Sequence, residues 1–200
     1  MSTATQPIRS KKEIRALINY YLRRGQIRNH ALIVTGIYTA LRVSDLLRLT
    51  WADVYDFKNK RFRKTITITE KKTGKAKIIA LNKNCTAALK RLIHTANPTC
   101  RNQSIFENKR TGKSISRVQA YRIIRDASKA VNMENHASCH SLRKTFGYFA
   151  WQNGVSPVVI MEIYNHSSLA VTMRYLGVTQ DDKNAAYLNL NFADSLRLPR

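Results

Sequence analysis

The first forty residues of the chain carry apolar side chains at intervals that fit a helix. In the first such stretch they recur every three or four residues, at Ile14, Leu17, Ile18, Tyr21 and Leu22. A second apolar stretch, residues 30–40, follows after Gly25. Intervals of three and four place side chains on one face of a helix, so the pattern predicts two packed helices here.

Capping residues mark two short helical segments after the second helix. Ser44 is expected to cap a short amphipathic helix that ends near Leu49. Thr50, with Asp53 three residues later, repeats the capping pattern at the start of the next turn. Arg42 lies just before the first of these caps, where it interrupts the apolar pattern.

An alternating pattern replaces the helical one in the middle of the chain. Residues 65–69 read TITIT, residues 77–81 form a second apolar run, and the intervening KKTGKA contains one glycine. Alternation of β-branched and polar residues beside a glycine-containing turn predicts a β-hairpin, here with a lysine-rich tip.

The C-terminal half returns to helical spacing after a polar, irregular stretch over residues 98–113. Helices are predicted over residues 84–95, 116–131 and 139–153, from Ser156-Pro157, from Ser168 to Gly177, and from Thr179 with Asp182 in capping-box position. The fold class is therefore predicted as α+β, a mostly helical domain with a small antiparallel sheet or hairpin.

The chain shows no internal repeat, low-complexity stretch or obvious linker. Its 200 residues, 44% of them hydrophobic, are enough for one buried core. We therefore expect a single domain over residues 1–200, with a core over about 14–178 and a C-terminal tail over 179–200.

The charge balance is strongly basic, because 35 lysine and arginine residues against 12 acidic residues give a formal net charge of +23. A net charge of about 2 to 8 keeps a small domain in solution, so the excess indicates a polyanionic partner such as a nucleic acid. No apolar run approaches the roughly 20 residues of a membrane helix, and the N-terminus lacks the pattern of a secretory signal. A cytoplasmic, DNA-associated protein without a membrane partner is expected.

Cysteines and histidines give little sign of a disulfide or a metal. Cys85, Cys100 and Cys139 are an odd number without paired spacing, which argues against a disulfide framework. His136, Cys139 and His140 lie close in sequence, yet structural zinc needs four ligands and no second Cys/His cluster supplies them. We expect no metal and no other cofactor.

Three stretches carry polar residues that suit chemistry on a phosphate. Arg42 stands in TALRVSD, His140 and Arg143 are three residues apart and share a helix face, and His166 precedes Tyr175 by nine residues. An arginine fork can hold two oxygens of a phosphodiester, and an imidazole beside it can move a proton. A tyrosine can then act as the nucleophile, since positive side chains stabilise the charge that develops on the phosphoryl oxygens without requiring a metal.

In these residues the chain resembles the catalytic domain of the tyrosine site-specific recombinases, the phage integrase family. Arg42 is similar to the arginine of the family's first box, His140-Ser-Leu-Arg143 to its H-x-L-R box, and His166-Ser-Ser with Tyr175 to its histidine and nucleophile box. The matches follow the family's order. The resemblance extends over about residues 14–191.

The chain departs from most relatives in two respects. It lacks the N-terminal core-binding domain that most relatives carry, so it resembles the minimal recombinases, such as the fimbrial phase-switch invertases, unless it is a piece of a longer protein. Tyr164-Asn165 stands where many relatives have Leu-Gly before the histidine. We expect this second departure to alter packing more than chemistry.

The resemblance implies a role for each matched residue. Tyr175 would attack a scissile phosphate and leave a 3′-phosphotyrosyl bond and a free 5′-hydroxyl. Arg42 and Arg143 would clamp the phosphate, His140 would accept or orient the proton of the nucleophile, and His166 would support the transition state. A hydroxyl of a second strand would reverse the step, which makes the protein a site-specific recombinase or integrase of the kind found on mobile genetic elements.

The resemblance further implies a general acid and an assembly. Lys72 in the sequence Lys-Thr-Gly matches the family's mobile lysine and would protonate the leaving oxygen, with Lys71 and Lys75 as close alternatives. The expected assembly is a homo-tetramer on paired DNA sites, joined by tails exchanged between protomers over residues 179–192. Accessory DNA-bending proteins are candidate partners.

Two other classes of function are compatible with the same fold. A type IB topoisomerase uses the same nucleophile to relax DNA as a monomer, although the context His166-Ser-Ser is more similar to the recombinases. A non-catalytic DNA-binding regulator with the same fold has no need of a tyrosine poised at a phosphate. The DNA target and the choice among integration, excision and inversion depend on geometry that one sequence does not give.

Simpler roles compete at single positions. Tyr175 is an ordinary helix residue if its neighbours are ignored, Arg42 can form a salt bridge with Asp45, and Lys72 is by default a solvated lysine. The apolar residues of the tail, Tyr187, Leu188, Leu190 and Phe192, can pack on their own domain instead of on a neighbour.

Overall fold

The computed structural model describes residues 5–190, so Phe192 lies outside the described residues. Within that range the chain forms ten helices and four strands. In chain order they are α1 (Lys11–Arg23), α2 (Ile27–Thr39), α3 (Val43–Leu46), α4 (Trp51–Val54), β1 (Tyr55–Asp56), β2 (Arg61–Phe62), β3 (Thr65–Thr69), β4 (Ala76–Ala80), α5 (Lys83–Ala96), α6 (Arg117–Ala130), α7 (Cys139–Gln152), α8 (Pro157–Tyr164), α9 (Leu169–Leu176) and α10 (Gln180–Leu188). The predicted α+β class is confirmed.

Helix α2 lies at the centre of the fold, with nine of its 13 residues buried. Helices α1, α5 and α7 pack against it. A Cβ atom at Gly36 would lie 2.9 Å from Cδ1 of Leu142, so the missing side chain lets α7 approach α2 closely. This contact brings the C-terminal end of α2, which leads into Arg42, beside the helix that carries Arg143.

Strands β3 and β4 form the predicted hairpin, with the second strand beginning one residue earlier than expected. They pair antiparallel, with Ile66 opposite Ile79 and Ile68 opposite Lys77. Ile66 and Ile79 are buried, while the three threonines of β3 are exposed. The hairpin therefore turns one face toward the core and holds its turn, residues 70–75, at the edge of the molecule. The β1–β2 pair was not predicted, since strands of two residues are too short to show alternation.

Serine caps determine where the C-terminal helices begin. The side chains of Ser138, Ser156 and Ser168 each accept a hydrogen bond from a backbone N–H group in the first turn of α7, α8 and α9. Helix α9 ends at Gly177, whose φ of 68° lies in the left-handed region. The helix starts predicted at Ser156 and Ser168 and the end predicted at Gly177 are confirmed, whereas the cap at Ser138 was not predicted.

One predicted helix start is wrong. Helix α3 begins at Val43, not after Ser44, and Arg42 itself occupies the N-cap position. The physical reason is that the carbonyl oxygen of Arg42 already accepts the backbone N–H groups of Asp45 and Leu46, both at 2.9 Å. Among residues 5–190, no helix combines the length and the apolar character that crossing a membrane requires.

Candidate active site

Arg42 is held at the sharp turn between α2 and α3. Ala40, two residues earlier, has a φ of 54°, which an L side chain rarely adopts. Nη1 of Arg42 lies 2.8 Å from Oε1 of Glu70, and Nη2 donates to the carbonyl oxygen of Tyr164 at 3.4 Å. The side chain of Arg42 is one-fifth exposed as a whole, although its Nη1 atom is buried against Glu70.

Asp45 is not the ion-pair partner of Arg42 that the sequence suggested. It is buried, and its Oδ1 atom accepts the backbone N–H of Lys71 at 2.9 Å. The same oxygen lies 3.8 Å from Nη1 of Arg48, a largely exposed side chain. Asp45 therefore joins α3 to the hairpin turn. The ion-pair partner of Arg42 is Glu70, not Asp45.

Arg143 is almost fully buried, one helical turn after His140 on α7. Its Nη1 atom donates to the carbonyl oxygen of Ala40, and its Nη2 atom donates to that of Tyr164 at 2.9 Å. The guanidinium also stacks on the Tyr164 ring, with its carbon atom 4.5 Å from the ring centre. These contacts tie the end of α2, α7 and the end of α8 into one unit.

Tyr175 lies at the centre of the predicted cluster. Its hydroxyl oxygen is 3.2 Å from Nδ1 of His140, and the rings of His140 and His166 each lie 4.9 Å from its ring, centre to centre. The guanidinium carbon of Arg143 lies 5.9 Å and Nζ of Lys144 5.1 Å from the centre of the same ring. The structure thus brings three of the predicted site residues, His140, Arg143 and His166, around the phenol of the fourth, Tyr175. Arg42 is attached to them through the Tyr164 carbonyl, which Arg143 also contacts.

His166 is oriented by the helix that carries the tyrosine. Its Nδ1 atom lies 3.1 Å from Oγ1 of Thr172, one turn before Tyr175 on α9. Among residues 5–190, the Nε2 atom of His166 has no hydrogen-bond partner. Thr172 therefore fixes the position of His166 relative to Tyr175. The sequence pattern did not single out Thr172.

The free site keeps its bases neutral and its nucleophile protonated. Desolvation, together with repulsion from Lys144, Arg143 and Arg42, lowers the pKa of His140 to about 4. Desolvation and the charges of Arg143 and Arg42 likewise lower the pKa of His166 to about 4. Burial raises the pKa of Tyr175 above its ordinary value, although Arg143 opposes the change. With its proton on Nε2, the neutral ring of His140 can accept a proton from Tyr175 at Nδ1.

Glu70 is a site residue that the sequence analysis missed. Its side chain is fully buried, and Oε2 accepts from Nδ2 of Asn165 at 3.0 Å and from Oγ1 of Thr73 at 2.9 Å. Burial works against the carboxylate, yet these hydrogen bonds and Arg42 leave the pKa of Glu70 below its usual value. The position follows directly after the TITIT strand, and no local pattern distinguishes it from the lysines beside it.

The lysines at the hairpin tip remain outside the cluster. Lys71, Lys72 and Lys75 are exposed. Within residues 5–190, the side chain of Lys72 takes part in no hydrogen bond or ion pair that links it to the other predicted residues. Its assignment as general acid therefore stays a prediction.

Two other tyrosines, Tyr164 and Tyr187, lie near Tyr175 in the sequence. Tyr164 is fully buried, and its hydroxyl donates to the carbonyl oxygen of Arg143 at 2.6 Å. Burial raises its pKa far above the ordinary value for tyrosine, which makes it a poor nucleophile. Tyr187 is 77% exposed near the end of α10.

The suggested zinc ligands do not gather. Among the described residues, no group of three or more His, Cys, Asp or Glu side chains is arranged to hold a metal ion. His140 is instead engaged with Tyr175, and Cys139 is half-buried beside the core.

Sequence comparison finds the same family across most of the chain. The model described as "Phage integrase family" matches residues 9–182. The probable integrase/recombinase YoeC of Bacillus subtilis (strain 168) is 39% identical over 183 residues, which are 91% of this chain and 94% of YoeC. Tyrosine recombinase XerD of Listeria innocua is 27% identical over 77% of this chain, and the chain spans only about half of it, 51%.

Comparison with solved structures finds the same fold. The crystal structure of XerA recombinase covers 100% of this chain with a TM-score of 0.76 at 23% identity, and this chain covers 68% of that structure. The post-cleavage complex of XerH site-specific recombinase, bound to a palindromic difH substrate, covers 93% with a TM-score of 0.74 at 20% identity, and this chain covers 53% of it. At these identities the likeness concerns the fold alone.

Proposed function

The chain belongs to the phage integrase family, and from that premise we propose that it is a site-specific recombinase that cleaves and rejoins DNA through a covalent bond to Tyr175. The observation that carries the proposal is the 3.2 Å contact between the Tyr175 hydroxyl and Nδ1 of His140, beside the buried guanidinium of Arg143. A phenol that touches a neutral base within a cationic site is suited to attack a phosphate.

In the proposed reaction the Tyr175 oxygen bonds to phosphorus as the bond between phosphorus and the 5′-oxygen breaks. His140 takes the phenolic proton, and Arg42 and Arg143 hold the non-bridging oxygens. His166 donates from its free Nε2 atom to the phosphoryl group once the phosphate has raised its pKa. The arginines stabilise the developing charge, so we propose that no metal is required and that cleavage proceeds in a chelator.

The leaving 5′-oxygen needs a proton, and we propose that Lys72 supplies it. The hairpin turn that carries Lys72 is joined to the site by Glu70 and by Asp45, which binds the backbone of Lys71. A turn attached at its base and exposed at its tip can bring a lysine to a bound DNA strand. The reverse reaction returns each proton to its donor.

We propose double-stranded DNA as the partner and a tetramer on paired sites as the working assembly. The net charge of +23 supports the first part. For the second, the end of α10 exposes apolar side chains, with Tyr187 77% and Leu188 83% exposed. An apolar groove of about 390 Å³ between α1, α2 and α7, lined by residues such as Phe146 and Phe149, is a suitable receptor on a neighbour. Accessory DNA-bending proteins and the cytoplasmic location stay predictions.

The test is a covalent adduct on a suicide substrate, a duplex nicked so that the released 5′-hydroxyl strand diffuses away. The site would first be selected from random duplexes by binding. The native protein should form an adduct whose peptide map ends at Tyr175, with or without EDTA, and Tyr175→Phe should bind equally well and form none. An undiminished adduct in that variant would contradict the proposal, and rapid relaxation of supercoiled DNA without paired sites would favour a type IB topoisomerase.

A further inference from the structure

Lys77 differs from every other lysine of the hairpin in the direction it faces. It lies on β4 opposite Ile68, on the same side of the hairpin as the buried Ile66 and Ile79. Its Nζ atom is buried and has no hydrogen-bond partner among residues 5–190. A buried ammonium without a partner is costly, so its presence here calls for a group that can pair with it.

The charges around Lys77 belong to the candidate active site. Arg143, Glu70, Arg42 and Asp45 all act on its ammonium, and desolvation, the largest effect, lowers the pKa of Lys77 to about 8. An anion entering the site would offset that desolvation and favour the charged form. The β-hairpin thus contributes Lys77 to the same group of charges to which α7 contributes Arg143.

The formal charges show why a third cation matters. Arg42 and Arg143 carry two positive charges, and the buried carboxylates of Glu70 and Asp45 carry two negative ones. These four residues are therefore neutral together, and Lys77 adds a positive charge that they do not balance, as do Lys144 beside the Tyr175 ring and Arg48 beside Asp45. A phosphodiester carries one negative charge and would offset part of this excess.

We propose that Lys77 is a further catalytic residue, whose ammonium pairs with a non-bridging oxygen of the scissile phosphate between Arg42 and Arg143. The inference rests on the proposed cleavage reaction. It gives Lys77 a role separate from that of Lys72, since one neutralises the phosphoryl group and the other protonates the leaving oxygen.

The test compares two linkages in the same suicide duplex at saturating protein. One is the ordinary phosphodiester, and the other is a methylphosphonate, in which a methyl group replaces a non-bridging oxygen and removes the negative charge. Lys77→Met removes the ammonium and keeps the length of the side chain, and Lys77→Arg keeps the charge. Lys64→Met is the matched control, because Lys64 is an exposed lysine just before β3.

Lys77→Met should cleave the phosphodiester about 10²-fold more slowly than the native protein, the usual effect of losing one group that stabilises transition-state charge. Lys77→Arg should recover part of that loss. Lys77→Met should cleave the methylphosphonate only a few-fold more slowly than the native protein does, because this linkage carries no negative charge to neutralise. Lys64→Met should match the native protein on both linkages.

Three results would overturn the role of Lys77. One is an undiminished rate on the phosphodiester, and another is an equal loss on both linkages, which would indicate a structural role. The third is rescue of Lys77→Met by a 5′-bridging phosphorothiolate, whose sulfur leaves without a proton; that pattern is the one expected of Lys72→Met. Absence of an adduct with the native protein would instead count against the proposed function itself.

The folding of the Lys77 variants is checked in the same protein preparations. Replacing a buried, unpaired ammonium by an apolar side chain of similar size should leave the free energy of unfolding equal or higher. Thermal unfolding and binding to the uncleaved duplex check this directly. The proposal is supported if Lys77→Met has the melting temperature and the DNA affinity of the native protein but cleaves the phosphodiester, and not the methylphosphonate, much more slowly.

Discussion

At the scale of single residues, the free site is arranged to keep Tyr175 from ionising. The neutral His140 is a weak base, since desolvation and the cations Lys144, Arg143 and Arg42 lower its pKa to about 4. A bound phosphate would offset those cations and raise the pKa of the imidazole, which makes His140 a better proton acceptor only when substrate is present. The nucleophile is thus activated by the group that it attacks.

Glu70→Gln tests the ion pair that holds Arg42. The amide keeps the shape of the side chain but leaves the partly buried Arg42 without its counter-charge, so we expect the free energy of unfolding to fall by about 3 kcal/mol. Cleavage should slow because Arg42 is no longer fixed. Chemical denaturation and single-turnover cleavage measure the two effects.

The pH dependence separates this ion pair from a packing effect. The pKa of Glu70 lies below its ordinary value of 4.5 in the folded protein, so its stabilisation is present above that pH and is lost as the pH falls through the folded value. Glu70→Gln lacks the carboxylate, so its free energy of unfolding should fall less steeply as the pH is lowered. Asn165→Gly removes the 3.0 Å hydrogen bond to Glu70 at a position whose φ of 50° glycine readily adopts, and its acid loss should fall between those of the two proteins. Parallel acid curves for all three proteins would contradict the argument.

At the scale of elements, α8 and α9 are positioned by a contact between a glycine and a tyrosine. A Cβ atom at Gly147 on α7 would lie 2.9 Å from Cζ of Tyr164 and nearer still to its hydroxyl oxygen. The absence of that atom lets α8 end against α7, where the Tyr164 carbonyl meets both arginines. In the Tyr-Asn pair that stands where many relatives have Leu-Gly, Tyr164 packs against Gly147 and Asn165 donates to Glu70. The expected effect of this departure on packing more than on chemistry stays a prediction.

Gly147→Ala should displace Tyr164 and with it the end of α8. Overpacking of this kind costs about 1–3 kcal/mol, and we expect cleavage to fall because the Tyr164 carbonyl no longer meets Arg143 in the same place. Tyr164→Phe removes the hydroxyl that comes closest to the new methyl group. In the double variant it should therefore recover part of both losses, and a double-mutant cycle measures the recovery. Additive losses would mean that the two residues do not share this contact.

Local patterns predicted the elements well and their contacts poorly. The caps at Ser156 and Ser168, the Thr50–Asp53 capping box and the hairpin are set by residues within a few positions of one another, and the structure confirms them, although the cap predicted at Ser44 is wrong. Glu70 pairs with Arg42 and Asn165 across long sequence separations, and a single sequence carries no signal for such pairs. The inward orientation of Lys77 also depended on the register of the hairpin, which the KKTGKA turn alone did not fix.

At the scale of the whole molecule, α10 is attached at its start and uncovered at its end. Arg9 donates to the carbonyl oxygen of Gly177, and its Nη1 atom lies 3.6 Å from Oδ2 of Asp182. Oδ2 of Asp182 also completes the capping box with Thr179. The last turn carries the exposed Tyr187 and Leu188 beyond these contacts. Such a helix is held in a fixed direction while its apolar surface stays available to a neighbour.

The combined change Tyr187→Ser and Leu188→Ser should therefore separate assembly from folding. Both side chains are exposed, so the free energy of unfolding and binding to a single DNA site should not change. If burying each side chain on a neighbour contributes about 1.5–3 kcal/mol, the double substitution should weaken the association of two bound DNA sites by about 10²-fold or more. Gel mobility of single-site and paired-site complexes measures this, and the exposed pair Gln180→Ser and Asn184→Ser is the control on the same helix. A lower melting temperature with unchanged pairing would show instead that the tail packs on its own domain.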